Sequence, residues 1–298
     1  MNNFHGETKR RSYFEGWYLK HQSAQRTVAV IPAFHLDKKG KPSASIQVIT
    51  NQGSHWVDYP VEAFKVHPER FVVRVGSSSF SHRGVRLNIV GEGITVTGQV
   101  AYGPLTPPST NMMGPFRFLP AMQCNHGVLS LTHTLTGALT VNGEVIDFTG
   151  GVGYIEKDWG SSFPSSYLWT QCSWEDRGGC SIMVSIADIP FLGGSFTGCI
   201  AAIYYGGVEY RLATYNGVKI CRISPTEAVL MQGELQLHLK LLEQSPHKLK
   251  APRNGDMSRT IHESASCRAS YRFTIAGRVL FDFVSENAGF EQDDGTST

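Results

Sequence analysis

The sequence predicts an all-β protein of many short antiparallel strands, arranged as a barrel or sandwich in preference to an open sheet. Three observations predict it. Segments such as "FVVRV", "VRLNIVGEGITVTGQV", "GALTVNGEVIDF", "GELQLHLKLLE" and "YRFTIAGRVLFDFV" alternate apolar and polar residues or carry β-branched and aromatic runs. Asn142-Gly143 and Gly206-Gly207 each separate two such runs by two residues, as hairpin turns with positive φ require, and Ala276-Gly277 repeats the pattern more weakly. No long stretch shows a helical period bounded by caps.

Taken in order, the first element is "RRSYFEGWYLK" (10–20). As a strand it places Tyr13, Glu15, Trp17 and Leu19 on one face. The stretch 102–122, "YGPLTPPSTNMMGPFRFLPAM", holds five prolines and can be neither a central strand nor a long helix. It reads as a crossing between two β domains, 1–110 and 111–298. In the second half, "RTIHESASCRAS" (259–270) is the best place for a short helix. The tail "EQDDGTST" is polar and is expected to fray.

Composition narrows the function classes. The 298 residues are 41% hydrophobic, enough for a sizeable core, and the charges nearly cancel at a formal +2. Lys and Arg form no stripe, which argues against a nucleic-acid partner. Six cysteines (Cys124, Cys172, Cys180, Cys199, Cys221, Cys267) are widely spaced without a CxxC pair. With no apolar leader ahead of them, they read as reduced thiols of a cytoplasmic protein. No apolar run reaches the ~18 residues of a spanning helix. That leaves room for no more than peripheral contact with a membrane.

Three stretches carry chemistry. On the 10–20 strand, a carboxylate flanked by aromatics is unusual. Burial would raise the pKa of Glu15 and keep it protonated, whereas a partner among Arg10, Arg11 or Lys20 would make it a plain ion pair. In "GYIEKDWGSSFP" (153–164), Tyr154, Glu156 and Asp158 line one side and Ile155, Lys157 and Trp159 the other. Two carboxylates at i and i+2 repel unless one is protonated or both meet cations. That pattern makes either a general acid, with Glu156 ahead of Glu15 and Asp158 as an ion-pair partner, or a structural network with Lys157 or Arg177. In "YLWTQCSW" (167–174), Trp169 and Gln171 share a face, as either core packing or an aromatic wall for a developing cation. His126 and His133 lack the spacing of a zinc site, and no metal is expected.

Together these stretches resemble the tocopherol cyclase-like family. "YFEGWYLK" resembles its N-terminal F-F-E-G-W-Y signature, and "GYIEKDWGSSFPSSYLWTQC" its central E-K-x-W-G-x-x-F-P…W-x-Q-C block. "YNGV" and 249–267 match weaker, later parts. Asp158 stands where the plant motif has Asn. The resemblance implies two lipocalin-like β-barrels. It also implies acid-catalysed, cofactor-free cyclisation or isomerisation of an apolar prenyl-type substrate: an acid protonates an alkene and a phenol oxygen captures the cation. Glu156, Glu15 and Asp158 are then the available acids. Trp17, Tyr13, Tyr154, Trp159, Trp169 and Gln171 are the candidate substrate contacts. A non-catalytic carrier or sensor of a hydrophobic ligand is the alternative that such barrels allow.

Overall fold

The computed structural model describes residues 4–119, 122–176, 178–191, 193–244 and 246–293. Arg177, weighed above as an ion-pair partner, lies outside them, as does most of the polar tail. The first twelve strands are β1 (Tyr13–Gln22), β2 (Thr27–Leu36), β3 (Pro42–Thr50), β4 (Ser54–Tyr59), β5 (Phe64–Val66), β6 (Val72–Val75), β7 (Ser78–Ser81), β8 (Gly84–Gly91), β9 (Ile94–Tyr102), β10 (Cys124–Val141), β11 (Glu144–Asp147) and β12 (Val152–Gly160). They form one antiparallel sheet in the order β4-β3-β2-β1-β12-β10-β9-β8-β7-β6-β5, with β11 added on β10. The remaining ten are β13 (Tyr167–Trp174), β14 (Cys180–Phe191), β15 (Gly194–Tyr205), β16 (Val208–Ala213), β17 (Lys219–Ser224), β18 (Glu227–Gln232), β19 (Leu235–Glu243), β20 (His247–Arg253), β21 (Asp256–Ile275) and β22 (Arg278–Asp293). They form a second antiparallel sheet, β16-β15-β14-β13-β22-β21-β19-β18-β17, with β20 on β21.

Each sheet curls into a lipocalin-like barrel around its own core. Inside the first, Trp17 and Leu19 of β1 meet Val28 and Val30 of β2 and Ile155 of β12. Inside the second, Leu168 and Cys172 of β13 meet Ile182, Val184, Leu237, Leu239 and Phe273. The Gln232 amide accepts from the Ala213 N–H (3.0 Å) and donates to the Arg211 carbonyl (2.9 Å), joining β18 to β16 without a ladder between them. The expected hairpins are present: φ is positive at Asn142 and Gly143, at Gly206 and Gly207, and at Ala276 and Gly277.

Two expectations are corrected. The division at 110/111 does not describe the compact units. The first unit is 1–112, 121–163 and 249–260, and the second is 113–120, 164–248 and 261–298. The proline-rich stretch is a loop after which the chain returns to the first sheet. There the 18-residue β10 pairs with both β9 and β12. Residues 259–270 are not helical but lie within β21. Ala265, Cys267 and Ala269 are buried at alternate positions, the strand period. Pairing with β19 and β22 overrides local propensity.

Candidate functional site

The two signature stretches are neighbours in the first unit. Strand β1 pairs with β12 so that Glu15 lies opposite Trp159, Trp17 opposite Lys157 and Tyr18 opposite Glu156. Because strand side chains alternate, β12 presents two different chemistries on its two faces.

The core-facing side carries Lys157 and Trp159. The Lys157 ammonium sits 2.5 Å from the Glu15 carboxylate, and both residues are 0% exposed. Glu15 also accepts from the Tyr13 hydroxyl (2.5 Å) and from the His5 backbone N–H (2.9 Å). Lys157 lies 3.2 Å from His5 Nδ1 and between two indoles, 5.2 Å from the centre of the Trp17 ring and 5.1 Å from that of Trp159. His5 stacks on Trp159 with centroids 4.6 Å apart and planes within 9°. Burial pushes the Glu15 carboxyl up, but hydrogen bonds from His5 and the adjacent Lys157 charge outweigh it and hold the pKa below its ordinary value. Burial pushes the Lys157 pKa down, with Glu15 opposing. Of the two alternatives for Glu15, the ion pair holds and the protonated acid does not: Glu15 is an ionised member of a buried pair. Its partner is Lys157, not the expected Arg10, Arg11 or Lys20.

The opposite face of β12 carries Tyr154, Glu156 and Asp158. Here β10 supplies a residue that the sequence reading had set aside. His126 lies directly across from Asp158 in register, with Nδ1 2.8 Å from Oδ1. Its Nε2 is 3.6 Å from Glu156 Oε2, an ion-pair contact too long for a hydrogen bond. The Tyr154 hydroxyl donates to Glu156 at 2.6 Å. Glu156 is 5% exposed and His126 9%. Burial alone would lower the His126 pKa, but the carboxylates of Asp158 and Glu156 raise it to about 9, so the ring is an imidazolium at neutral pH. Among the described contacts, the i, i+2 carboxylates share the His126 cation. Lys157 plays no part, because it points to the other face.

These three residues also present one nitrogen and two oxygens within 4.8 Å of one another, a set that divalent cations accept.

Further along β10, bulges after Val128 and Ser130 shift the register, so that His133 faces the core and lies across from Gly153. His133 and His21 flank Tyr102 inside the first barrel, and the Tyr102 hydroxyl reaches His21 Nε2 at 2.6 Å. Burial lowers the pKa of His21 to about 4. Burial, with His21 nearby, lowers that of His133 to about 3.

Trp169 and Gln171 belong to the second unit, on β13. Both are buried on the face opposite Leu168 and Cys172. The Gln171 amide donates to Ser173 (2.7 Å), and the Trp169 ring lies over Gly289. Of two first-unit residues with direct roles in the geometry, His5 has no sequence signal and His126 was set aside for lacking the spacing of a metal site. A third, Tyr18, sits across from Glu156. The "YFEGWYLK" stretch quotes Tyr18, but the face assignment alone gave no reason to single it out.

Comparison with known proteins decides the family. The family model described as "Tocopherol cyclase-like" matches residues 93–292, two thirds of the sequence. The chain belongs to the tocopherol cyclase-like family. A rice (Oryza sativa subsp. japonica) protein named "Probable tocopherol cyclase, chloroplastic" is 27% identical over 112 residues, 36% of this chain. The match spans only 24% of the rice protein's length. Among solved structures, CghA in complex with Sch210972 superposes with a TM-score of 0.59 at 10% identity, covering 95% of this chain and 89% of CghA. Kievitone hydratase of Nectria haematococca gives 0.54 at 14% identity, also covering 95% of this chain and 89% of that one. At such identities these two likenesses speak to the fold. Among the described residues of this family member, no helix is long and apolar enough to cross a membrane.

Proposed function

We propose that this tocopherol cyclase-like protein is a cofactor-free acid catalyst that closes a ring on, or isomerises, an apolar prenyl-type substrate, with Glu156 as the proton donor. One observation carries the reading: the shared imidazolium of His126 with Glu156 and Asp158 on the face of β12 away from the core. Two carboxylates on one side of a strand repel unless a cation or a proton intervenes, and in this reading Glu156 takes up the proton it delivers from the His126–Asp158–Glu156 cluster. Glu156, bonded by the Tyr154 hydroxyl and facing Tyr18, has the more aromatic surroundings. Asp158 holds the ring of His126 in place.

In the proposed step the Glu156 proton forms a new C–H bond at the less substituted alkene carbon. The tertiary cation is captured by a phenol oxygen, which forms the C–O bond. The phenolic proton then returns to the Glu156 carboxylate, so no net proton or electron is consumed. The neighbouring imidazolium stabilises the carboxylate left after the first transfer.

The test is incubation with a prenylated hydroquinone in D2O, following the chromanol product and deuterium at the carbon that was protonated. Glu156→Gln should lower turnover by about two orders of magnitude or more while the fold is kept, in line with general-acid contributions. Equal turnover in the variant and the wild type would reject Glu156 as the acid. The carrier reading draws on the Glu15–Lys157 pair, where a signature carboxylate is engaged in an ion pair. It predicts that the hydroquinone binds and is recovered unchanged.

A further inference from the structure

Inside the first barrel, two histidines far apart in sequence meet over one glycine. His21 of β1 and His133 of β10 are both register partners of Gly153 on β12, one from each side. Side chains in one cross-strand row share a face, here the core. Glycine makes the room: a Cβ at 153 would collide with His133 Nε2. Tyr102, the last residue of β9, lies against both rings, with centroids 5.6 Å from His21 and 4.5 Å from His133.

Hydrogen bonding fixes where the protons of this cluster sit. Both imidazoles are neutral, so each carries one N–H. His21 Nδ1 faces the Val28 carbonyl at 3.1 Å, which only accepts, so Nδ1 is the donor and Nε2 keeps a lone pair. Ser130 donates its hydroxyl proton to the Thr132 carbonyl at 2.9 Å, so the 3.0 Å bond between Ser130 Oγ and His133 Nδ1 is donated by the ring. His133 Nε2 is then a lone pair too. Tyr102 has one proton for the two of them. It donates to His21 Nε2 at 2.6 Å, and His133 Nε2, buried, has no hydrogen-bond partner among the described residues. A ring N–H held by a carbonyl or a hydroxyl oxygen, with the other nitrogen turned inward, is how a metal-ligating imidazole is oriented.

We infer that His21 Nε2, His133 Nε2 and the Tyr102 oxygen form a binding site for one divalent transition-metal ion of the zinc class. Two imidazole nitrogens and an oxygen suit such an ion, and three protein ligands leave a fourth position open. On binding, a metal–oxygen bond replaces the Tyr102 O–H bond and that proton leaves to solvent. The imidazoles lose none, so one proton is released per ion. Tyr102 is half-buried and gives the ion its way in. The site is separate from the cluster of His126, Glu156 and Asp158, which lies on the other face of β12. The inference goes beyond acid catalysis at Glu156 and does not depend on it.

The test uses the full chain, stripped with EDTA and dialysed. It is titrated with Co2+, whose visible d–d bands report tetrahedral ligation, and with Zn2+ by calorimetry in two buffers of different ionisation enthalpy. Wild type should take up one Co2+ with tetrahedral bands that Zn2+ bleaches, and release one proton per Zn2+. His133→Gln should weaken uptake by at least about a hundredfold, the upper range for losing even an outer partner of a ligand. Tyr102→Phe should bind more weakly and release no proton. His126→Gln should keep the bands, because the other cluster is not their source. Circular dichroism checks that each variant keeps the β spectrum. If His133→Gln loses it, Tyr102→Phe removes a single oxygen and carries the test through the missing proton. Absence of tetrahedral bands in wild type, full uptake by folded His133→Gln, a proton still released by Tyr102→Phe, or bands lost in His126→Gln would each overturn the inference. Absence of chromanol product in the separate turnover assay would reject only the catalytic reading.

Discussion

Inside the second barrel, a polar contact facing the core is a hydroxyl pair: Thr170 Oγ1 lies 2.6 Å from the Tyr271 hydroxyl and donates to the Gly289 carbonyl at 2.8 Å. The core-facing side of the first barrel holds a full ion pair, Glu15 with Lys157, and two neutral histidines, His21 and His133, around Tyr102. Both interiors are built from alternating strands of similar aliphatic and aromatic content. The difference shows that the fold itself needs no charge in its core. Residues of the first interior are tied to one another through titratable groups, and the second interior is held by packing. Stability of the first unit should therefore depend on pH and on matched charges, and that of the second on shape.

The largest effect expected from this contrast comes from unpairing the buried charges. Lys157→Met should destabilise the first unit by about 3–5 kcal/mol, because it strands the Glu15 carboxylate in the core. Adding Glu15→Leu should restore most of the loss, since a packed apolar pair replaces a buried ion pair at little net cost. Urea denaturation midpoints of the two variants check this. A double variant as unstable as the single one would mean that the pair is needed for more than mutual neutralisation.

Next in size is the pH dependence. Folded His21 has a pKa near 4, and His133 and His35 have values near 3, all depressed chiefly by burial from an ordinary value of about 6.5. Below 6.5 the unfolded chain takes up protons that the folded one refuses. The stability these groups contribute is complete above 6.5 and is lost as pH falls toward 4 and below. His126 has the opposite sign. Its folded value is near 9, so its contribution is complete below 6.5 and is lost as pH rises through 9. Urea midpoints against pH should peak near 6.5. His126→Gln should flatten the alkaline side and His133→Gln part of the acid side. An alkaline side unchanged in His126→Gln would show that the imidazolium is not what holds Asp158 and Glu156.

The smallest effect belongs to the second interior. Tyr271→Phe removes one hydroxyl, while Thr170 keeps its bond to the Gly289 carbonyl. The expected loss is about 1 kcal/mol, without pH dependence between 5 and 9. A loss of several kcal/mol there would erase the contrast between the two barrels.

The strands and hairpins were legible because their signals are local. Asn142-Gly143 and Gly206-Gly207 need positive φ, and few residues accept it. The alternation along 154–159 places Glu156 and Lys157 on opposite faces from sequence alone. Less legible was whatever depends on register between distant strands. His126 meets Asp158 across 32 residues, and His5 meets Lys157 across 152. Neither pair has a short spacing to betray it. The same gap explains the missed partner of Glu15: the sequence offered Arg10, Arg11 or Lys20 close by, and only the register shows that the lysine opposite Trp17 lies beside it. The five prolines of 102–122 read as a boundary because composition reports where strands stop, not where the chain goes next.

Strand β12 has a consequence for how this protein can change over time. Its odd positions, Ile155, Lys157 and Trp159, serve the interior, and its even positions, Tyr154, Glu156 and Asp158, serve the other face. Substitutions on one set leave the other in place, so each chemistry can drift or be redesigned on its own. Insertions and deletions have no such freedom. One residue gained or lost between Gly153 and Trp159 would exchange the two sets, turning Glu156 toward the aliphatic core and Lys157 away from Glu15. The segment is open to editing letter by letter and closed to any change of reading frame in space.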